Sequence, residues 1–360
     1  MSQAVAFRVD ASRKIGIGHV MRCLTLADAL AERGAHIRFV SRHLPPHLRE
    51  IVLGRGYGCT VFADTSAGLL DELSHADWLE TSQAADAAES VRALGDRRWD
   101  CVVVDHYALD ARWETPIRTV ASRILAIDDL ADRKHDCDLL LDQNVYPGME
   151  TRYVGKVPPH CGLLIGPRYA LLRSEFHQWR ERVAPRTGAV ERVMVCFGGV
   201  DAGNLTKAAL DALRSTGTNG WTVDVVVGAS HPRLEATLAA CAAAGHTCHV
   251  QSDRMAELMA SADLALGAAG STSWERCCVG LPTVCVATAH NQVAIAAGLE
   301  SRGVAIAVTS ENHVSASDVA GVLGQLLADP ERVASMSRAA WRLVDGRGVD
   351  RVRDRVLVVS

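Results

Sequence analysis

The fold is indicated first by residues 5–24, which read Val5-Ala-Phe-Arg-Val9-Asp10-Ala-Ser-Arg-Lys-Ile-Gly16-Ile-Gly18-His19-Val-Met-Arg-Cys-Leu24. The apolar run at 5–9 predicts a buried β-strand, and the two glycines predict a tight turn. Apolar residues then recur at helical spacing from Val20 to Leu30, so a helix follows. This order predicts that His19 stands at the mouth of a strand–loop–helix unit, where α/β proteins bind ligands.

His19 is therefore a candidate general base. Backbone N–H groups at the start of the predicted helix suit a phosphate, and the positive end of the helix dipole disfavours an imidazolium. A neutral imidazole beside an anion hole is what the activation of a water molecule needs. The alternative is a histidine that only caps the turn or lies on the surface. Asp10 or Asp105 could orient the ring, and the sequence does not decide between them.

The composition limits the class of protein. A chain of 360 residues that is 48% hydrophobic can bury two cores, and a net charge of −4 gives no basic footprint for nucleic acid. Eleven cysteines without Cys-x-x-Cys spacing are typical of buried thiols in a reducing compartment. No leader-like segment and no run of about 18 apolar residues is present. We therefore expect a cytoplasmic monomer that neither binds nucleic acid nor inserts into a membrane.

Short apolar runs alternate with longer segments of helical period along the chain. The strand candidates are 5–9, 36–41, 101–105, 123–127, 138–141, 162–165, 192–197, 222–227, 264–267, 283–286 and 304–308. This alternation predicts an α/β fold with parallel sheets covered on both faces. Neither a Gly-x-Gly-x-x-Gly with a suitably placed ribose acid nor a P-loop is present, which argues against a nicotinamide enzyme and a P-loop NTPase.

The pattern of strand, glycine-rich loop and helix begins again at residues 192–206. We therefore predict two Rossmann-like domains facing across a cleft. Residues 1–175 form the first, 176–190 a linker and 191–345 the second, while 346–360 form a C-terminal helix that crosses back to the first domain.

The second predicted domain carries its own candidate ligand site. The stretch Asp263-Leu-Ala-Leu-Gly-Ala-Ala-Gly270-Ser271-Thr272-Ser273-Trp274-Glu275 predicts a strand that ends in small residues before a Ser/Thr-rich helix start. Such a terminus can hold a pyrophosphate, and Glu275 can accept hydrogen bonds from both ribose hydroxyls. The following turn and strand bring Asn291 to the same rim. The alternative is an ordinary N-cap followed by an acidic residue in the first turn.

Two further groups have competing interpretations. Six aspartates between Asp128 and Asp142, with His135, would suggest Mg²⁺, but their spacing fits no metal loop. We favour Asp128 and Asp129 at a strand end, with the other four on solvated turns. We therefore predict no metal. Arg173 either touches the ligand or pairs with Glu175 or another acidic side chain.

Several motifs together resemble a known family. The C-terminal half resembles the donor-binding half of GT-B glycosyltransferase-like proteins. Over nearly its whole length the chain is more similar to the UDP-sugar hydrolases of pseudaminic acid biosynthesis, through Arg8–Ser12, Gly16–Val20, Val104–Tyr107, Ile127–Ala131, Asp136–Asn144, Gly166–Arg173, Phe197–Thr206 and Gly267–Glu275.

The resemblance implies hydrolysis of UDP-2,4-diacetamido-2,4,6-trideoxy-β-L-altropyranose, a UDP-linked amino-deoxysugar, without a cofactor or metal. It implies that His19 activates a water that attacks the anomeric carbon, with C–O cleavage and inversion. The substrate-binding residues expected on this basis are Gly18, Asp105, Tyr107, Arg173 and Asn291. Those expected to bind UDP are Gly199, Gly270, Ser271, Thr272 and Glu275.

Two other functions compete with this one. An inverting GT-B glycosyltransferase would use His19 on a sugar or lipid acceptor, and a non-catalytic subunit would only bind the UDP-sugar. The exact sugar is also open, since a legionaminic-type or spore-coat precursor fits the same residues. Roles in flagellin glycosylation or in surface polysaccharide synthesis would follow from such a sugar.

Overall fold

The computed structural model describes residues 3–63, 71–217, 220–309 and 313–357. The strands in these ranges are β1 (Ala4–Val9), β2 (His36–Ser41), β3 (Gly58–Val61), β4 (Cys101–Asp105), β5 (Ile124–Ile127), β6 (Leu139–Asp142), β7 (Gly162–Ile165), β8 (Arg192–Cys196), β9 (Thr222–Val227), β10 (Thr247–Val250), β11 (Leu264–Ala268), β12 (Thr283–Val286) and β13 (Ala305–Val308).

The helices alternate with these strands along most of the chain. They are α1 (Gly18–Ala31), α2 (Pro46–Gly54), α3 (Gln83–Leu94), α4 (Ala111–Ile117), α5 (Ser174–Arg180), α6 (Leu205–Ser215), α7 (Leu234–Ala244), α8 (Met255–Ser261), α9 (Thr272–Cys278), α10 (His290–Ser301), α11 (Ala316–Leu327), α12 (Pro330–Leu343) and α13 (Gly348–Val356). A 3-10 turn at Ala76–Trp78 matters for the site below.

The described residues form two compact units. The first lies within Met1–Asn144, Gly148–Leu171 and Arg347–Ser360, and the second within Val145–Pro147 and Leu172–Gly346. The first unit contains a parallel sheet in the order β3-β2-β1-β4-β5-β6-β7, and the second a parallel sheet in the order β10-β9-β8-β11-β12-β13. The predicted fold class, two parallel-sheet α/β units, is confirmed.

Both faces of the first sheet are buried, which explains its continuous apolar strands. On β1, Val5 and Phe7 pack into one core with Leu24 of α1. Ala4 and Ala6 point to the opposite face, into a second core that contains Trp99 and Trp113. Helix α13, from the end of the chain, packs on α1 within this unit.

The strand predictions missed the outer strands β3 and β10. Each forms one edge of its sheet, and their residues are half-buried or exposed. A half-exposed edge strand has no continuous apolar run, so the pattern that identified the inner strands is absent there. The eleven predicted strands all exist, with ends shifted by one residue at most.

Candidate active site

The order of strands locates a ligand-binding position in the first unit. The chain passes from β1 to β2 in one direction, whereas β4 and β5 continue in the other, so the order reverses between β1 and β4. Parallel sheets bind ligands at the carboxyl ends of the strands where such a reversal occurs. Val9 of β1 pairs with Asp105 of β4, so the loop that carries His19 begins beside Asp105.

Glycines shape the loop between β1 and α1. Gly16 donates to the Ser12 carbonyl at 2.8 Å and has a φ of +78°, a conformation that favours glycine. Gly18 begins α1, is exposed, and has open space where a side chain would be. No side chain caps this helix start. The backbone of Gly18, next to His19, is thus accessible from outside.

The His19 side chain is buried and its orientation is fixed by Asp105. His19 Nδ1 lies 2.6 Å from Asp105 Oδ1. Because a carboxylate only accepts, Nδ1 carries the proton that is donated, and Nε2 is left as the acceptor nitrogen. The alternative partner, Asp10, is held elsewhere: Arg8 Nη1 donates to it at 2.6 Å, and His106 Nε2 lies 3.4 Å away.

Arg22 completes this arrangement and was not found from the sequence. Its Nε donates to Asp105 Oδ2 at 2.5 Å and its Nη2 to Asp105 Oδ1 at 2.6 Å. Burial opposes ionisation, but Arg22 and His19 hold the pKa of the Asp105 carboxyl well below its usual range. Arg22 follows His19 by three positions on one helix, and this i, i+3 spacing was the available signal.

Asp105 is fully buried, and both of its oxygens accept hydrogen bonds from the protein. A carboxylate in this state is not open to a substrate. The geometry therefore favours a positioning role for Asp105 over the substrate contact expected from the sequence.

Aromatic rings lie beside the imidazole. The ring of Tyr107 meets His19 edge-on at a centroid distance of 4.9 Å, and Trp78 lies 6.4 Å away. Tyr107 hydrogen-bonds to Asp129, and burial together with that carboxylate raises the pKa of the phenol well above its usual value. Trp78 was not predicted, because a 3-10 turn has no periodic pattern to reveal it.

The acidic run after β5 is tied to protein cations. Asp128 is buried and pairs with Arg133 at 2.8 Å, and Asp136 pairs with Arg118 at 2.9 Å. Asp128 directly follows β5, as predicted, whereas Asp142 is buried in β6 and is therefore not on a solvated turn. Within the described ranges, no group of three or more His, Cys, Asp or Glu side chains is arranged to hold a metal ion.

The second unit has its own reversal of strand order, between β8 and β11. The loop after β8 carries Gly199, which is exposed. Its backbone packs closely against Gly228 in the loop after β9, since a Cβ atom at Gly228 would lie 2.4 Å from the Gly199 carbonyl oxygen. The start of α6 is closed to an external anion, because the Asp201 carboxylate accepts from Leu205 N at 2.9 Å and from Thr206 N at 2.8 Å.

The turn from β11 into α9 carries the other predicted nucleotide residues. Ser271 is exposed and makes no capping hydrogen bond, so the N-cap alternative does not describe it. Beneath the turn, the buried Arg276 donates to Thr272 Oγ1 at 3.2 Å and to the Ala268 carbonyl at 2.6 Å. This buried cation, also missed from the sequence, adds positive charge below Gly270, Ser271 and Thr272.

Glu275 lies one turn further along α9 and is partly buried. Burial raises its pKa to about 7. Arg173 Nη2 lies 2.9 Å from Glu175 Oε1 and 4.0 Å from Glu275 Oε1, so it pairs mainly with Glu175 and lies close to Glu275.

The first turn of α10 lies beside the Gly270 turn. A side chain at Gly270 would come 3.3 Å from Gln292 Nε2, and Gln292 Oε1 accepts from Thr288 N at 3.0 Å. Asn291 belongs to the same helical turn, and its side chain is outside the described part of the structure.

Solved structures with the same architecture cover the full chain. The crystal structure of MurG from Acinetobacter baumannii matches with a TM-score of 0.69 at 15% identity, over 99% of both chains. That of UGT89C1 from Arabidopsis thaliana, complexed with quercetin, matches with a TM-score of 0.65 at 13% identity, over 99% of this chain and 100% of that one. The chain has a GT-B fold.

Proteins of similar sequence are also found for this GT-B protein. Residues 193–352 match the family model named Glycosyltransferase family 28 C-terminal domain. The chain is 26% identical over 234 residues, 64% of its length and 72% of the relative's, to the UDP-2,4-diacetamido-2,4,6-trideoxy-beta-L-altropyranose hydrolase of Campylobacter jejuni. It is 21% identical to the spore coat polysaccharide biosynthesis protein SpsG of Bacillus subtilis, over 97% of this chain and 96% of that protein.

In this GT-B fold the predicted site residues fall into two sets, one in each unit. Gly18, His19, Asp105 and Tyr107 come together in the first unit, at the β1–β4 reversal. Gly270, Ser271, Thr272, Glu275 and Arg173 come together in the second, and Gly199 lies on the loop after the adjacent β8. In the part of the chain that the structure describes, no helix is long and apolar enough to cross a membrane.

Proposed function

We propose that this chain breaks the bond between UDP and the anomeric carbon of a UDP-linked amino-deoxysugar, with inversion, and that His19 is the general base. The observation that carries the proposal is the His19–Asp105 hydrogen bond of 2.6 Å at the β1–β4 reversal. That bond leaves Nε2 as the proton acceptor. A buried, oriented imidazole with a free Nε2 is suited to general-base catalysis near neutral pH.

The reaction needs one proton transfer and one displacement. Nε2 of His19 takes the proton of the attacking O–H group while its oxygen forms a bond to the anomeric carbon. The C–O bond to UDP breaks from the opposite face, and its electron pair leaves with the diphosphate. Base catalysis of this kind contributes about 10²–10⁴-fold in rate.

The second unit would hold the leaving group. Gly199 and the turn from Gly270 to Thr272 would bind UDP, with Glu275 on the ribose and Arg173 and Asn291 near the sugar. The buried Arg276 under this turn supports the assignment, because a fixed positive charge stabilises a departing diphosphate. The family model over residues 193–352 covers the whole turn and also supports it.

Two nucleophiles are candidates, each supported by a different observation. The glycosyltransferase family model over the second unit supports an acceptor hydroxyl, and hence an inverting glycosyltransferase. The relative from Campylobacter jejuni, which is named as a hydrolase of UDP-2,4-diacetamido-2,4,6-trideoxy-beta-L-altropyranose, supports water and that substrate. The relative named as a spore coat polysaccharide biosynthesis protein supports, instead, a UDP-linked sugar that serves as a spore-coat precursor.

Release of UDP from a panel of UDP-sugars, with and without acceptors, tests these candidates. Release without any acceptor, with entry of ¹⁸O from labelled water into the sugar, identifies a hydrolase. Release that requires an acceptor identifies a glycosyltransferase. Binding of UDP-sugar without turnover under any condition would overturn the proposal in favour of a binding subunit.

His19→Ala tests the assignment of the base. It should lose about 10²-fold or more in kcat. The control is His47→Ala, because His47 is an exposed histidine on α2 of the same unit. Near-normal turnover of His19→Ala would exclude His19 as the base even if the reaction is as proposed.

A further inference from the structure

Arg22 and His19 share one carboxylate. Asp105 Oδ1 accepts from Arg22 Nη2 at 2.6 Å and lies 2.6 Å from His19 Nδ1, while Oδ2 accepts from Arg22 Nε at 2.5 Å. Arg22 Nη2 also lies 3.2 Å from His19 Nδ1. The Arg22 side chain is 10% exposed and that of Asp105 is fully buried, so water screens these charges little.

We propose that Arg22 is a positioning residue that keeps His19 neutral, with its proton on Nδ1, at the pH at which the enzyme works. A lone aspartate beside a histidine favours the imidazolium and raises its pKa. Here the bidentate guanidinium already neutralises the carboxylate. A second proton would go onto Nε2 and make the ring a cation, with its Nδ1 only 3.2 Å from Arg22 Nη2.

The start of α1 also disfavours an imidazolium, and the other side chains around the ring do not add to that effect. Of the described residues that contact the imidazole, Tyr107 is a phenol whose pKa is raised by burial, so it stays uncharged, and Trp78 carries no charge. Cys23, on the same helix, contacts Asp105 at 3.6 Å, and burial raises the pKa of its thiol. Among these side chains, Arg22 is therefore the cation that opposes protonation of His19.

Arg22 also links His19 to Tyr107. Its Nη1 lies 3.4 Å from Asp129 Oδ2, and Asp129 hydrogen-bonds to Tyr107. One guanidinium thus fixes the carboxylates that hold the rings of His19 and Tyr107. Loss of Arg22 should change both the charge state of the base and the position of the rings.

The direct test is the NMR titration of His19 in the full chain, which needs no substrate. Arg22→Met removes the charge but keeps an unbranched side chain in the buried space. We expect the NMR titration of His19 to move to higher pH in this variant. In Arg22→Met/Asp105→Asn the carboxylate is also absent, so the pKa should fall back toward the wild-type value. Arg33→Met, at an exposed arginine just beyond α1, is the control.

The kinetic test rests on the proposed function. The acidic limb of the kcat/KM profile for UDP release should move to higher pH in Arg22→Met by the same amount as the NMR pKa. Arg22→Lys should keep the limb near its wild-type position while kcat falls, because the charge remains without the bidentate geometry.

The outcomes separate this inference from the proposed function. If folded Arg22→Met, checked by circular dichroism, shows an unchanged His19 titration, Arg22 has only a structural role and the inference is overturned. If the titration shifts but no UDP-sugar is turned over by the wild type, the inference stands and the proposed reaction is wrong.

Discussion

The rings of Trp78 and Tyr107 stack with their centroids 5.3 Å apart and their planes at 27°. Trp78 is half-buried and Tyr107 is buried, and both approach the His19 imidazole edge-on. His75 lies against both rings, at 4.6 Å from Trp78 and 5.2 Å from Tyr107. These rings form an apolar wall next to the candidate base, on which the methyl or acetamido groups of a deoxysugar can pack.

Trp78→Leu should weaken sugar recognition and leave nucleotide binding intact. The substitution removes the half-buried ring but retains an apolar side chain. We expect KM for the UDP-sugar to rise about five- to tenfold, in line with roughly 1 kcal/mol for an aromatic contact, while the Kd for UDP alone stays constant. Calorimetry with UDP and initial rates with UDP-sugar make the comparison. An equal loss of affinity for UDP would show that Trp78 does not act through the sugar.

Asp105→Asn should impair catalysis without changing the shape of the site. An asparagine amide can donate to Nδ1, which moves the imidazole proton to Nε2 and removes the acceptor. We expect kcat to fall about 10²–10⁴-fold, with a small change in KM. Asp10→Asn is the comparison, since Asp10 binds Arg8 and not His19. A larger loss of kcat in Asp10→Asn than in Asp105→Asn would contradict the assigned pair.

The glycines before His19 should respond in opposite ways to alanine. Gly16 has a φ of +78°, so Gly16→Ala should reduce the free energy of unfolding by about 1–2 kcal/mol. Gly18 lies in a helix with open space around it, so Gly18→Ala should stabilise the chain by up to about 1 kcal/mol. Its methyl group should nevertheless lower kcat/KM. Denaturant unfolding and UDP release separate these effects, and unchanged kcat/KM in Gly18→Ala would exclude substrate from that space.

The sequence predicts the inner strands and the His19 loop because those signals are local. A run at 5–9 with four apolar residues and a glycine turn are enough to place His19 after β1. The choice between Asp10 and Asp105 depends on the pairing of β1 with β4 and on the competing Arg8, two contacts that local spacing does not encode. Trp78 enters the site from a 3-10 turn, so only the tertiary structure reveals it.

Glu275 should make nucleoside binding depend on pH. Burial raises its pKa to about 7, and the proposed hydrogen bonds from the ribose hydroxyls require the ionised form. Affinity should therefore fall as the pH is lowered through 7, approaching tenfold per unit below it. Uridine is the probe, because it has no phosphate that titrates in this range. Glu275→Gln should bind weakly and independently of pH, and a flat profile for wild type would contradict the assignment of ribose to Glu275.

His135 should make the stability of the first unit depend on pH. Burial lowers its pKa, but the Asp128 carboxylate 3.7 Å from Nε2 and the hydrogen bond of Nδ1 with Glu114 outweigh this and raise the value to about 9. Since this folded-state pKa lies above the unfolded value of about 6.5, the stabilisation is fully present below pH 6.5 and is lost as the pH rises through 9. The shift corresponds to a stabilisation on the order of 3 kcal/mol.

His135→Gln should therefore destabilise the first unit most at pH 6, and the difference from wild type should shrink steadily up to pH 9.5. Amide hydrogen exchange of β4 and β5 measures it within that unit. His160→Gln, which removes an exposed imidazole 3.5 Å from Asp138, is the control for loss of a surface histidine. A difference that stays constant from pH 6 to 9.5 would mean that His135 stabilises the unit through packing alone, and not through its ion pair with Asp128 and its hydrogen bond with Glu114.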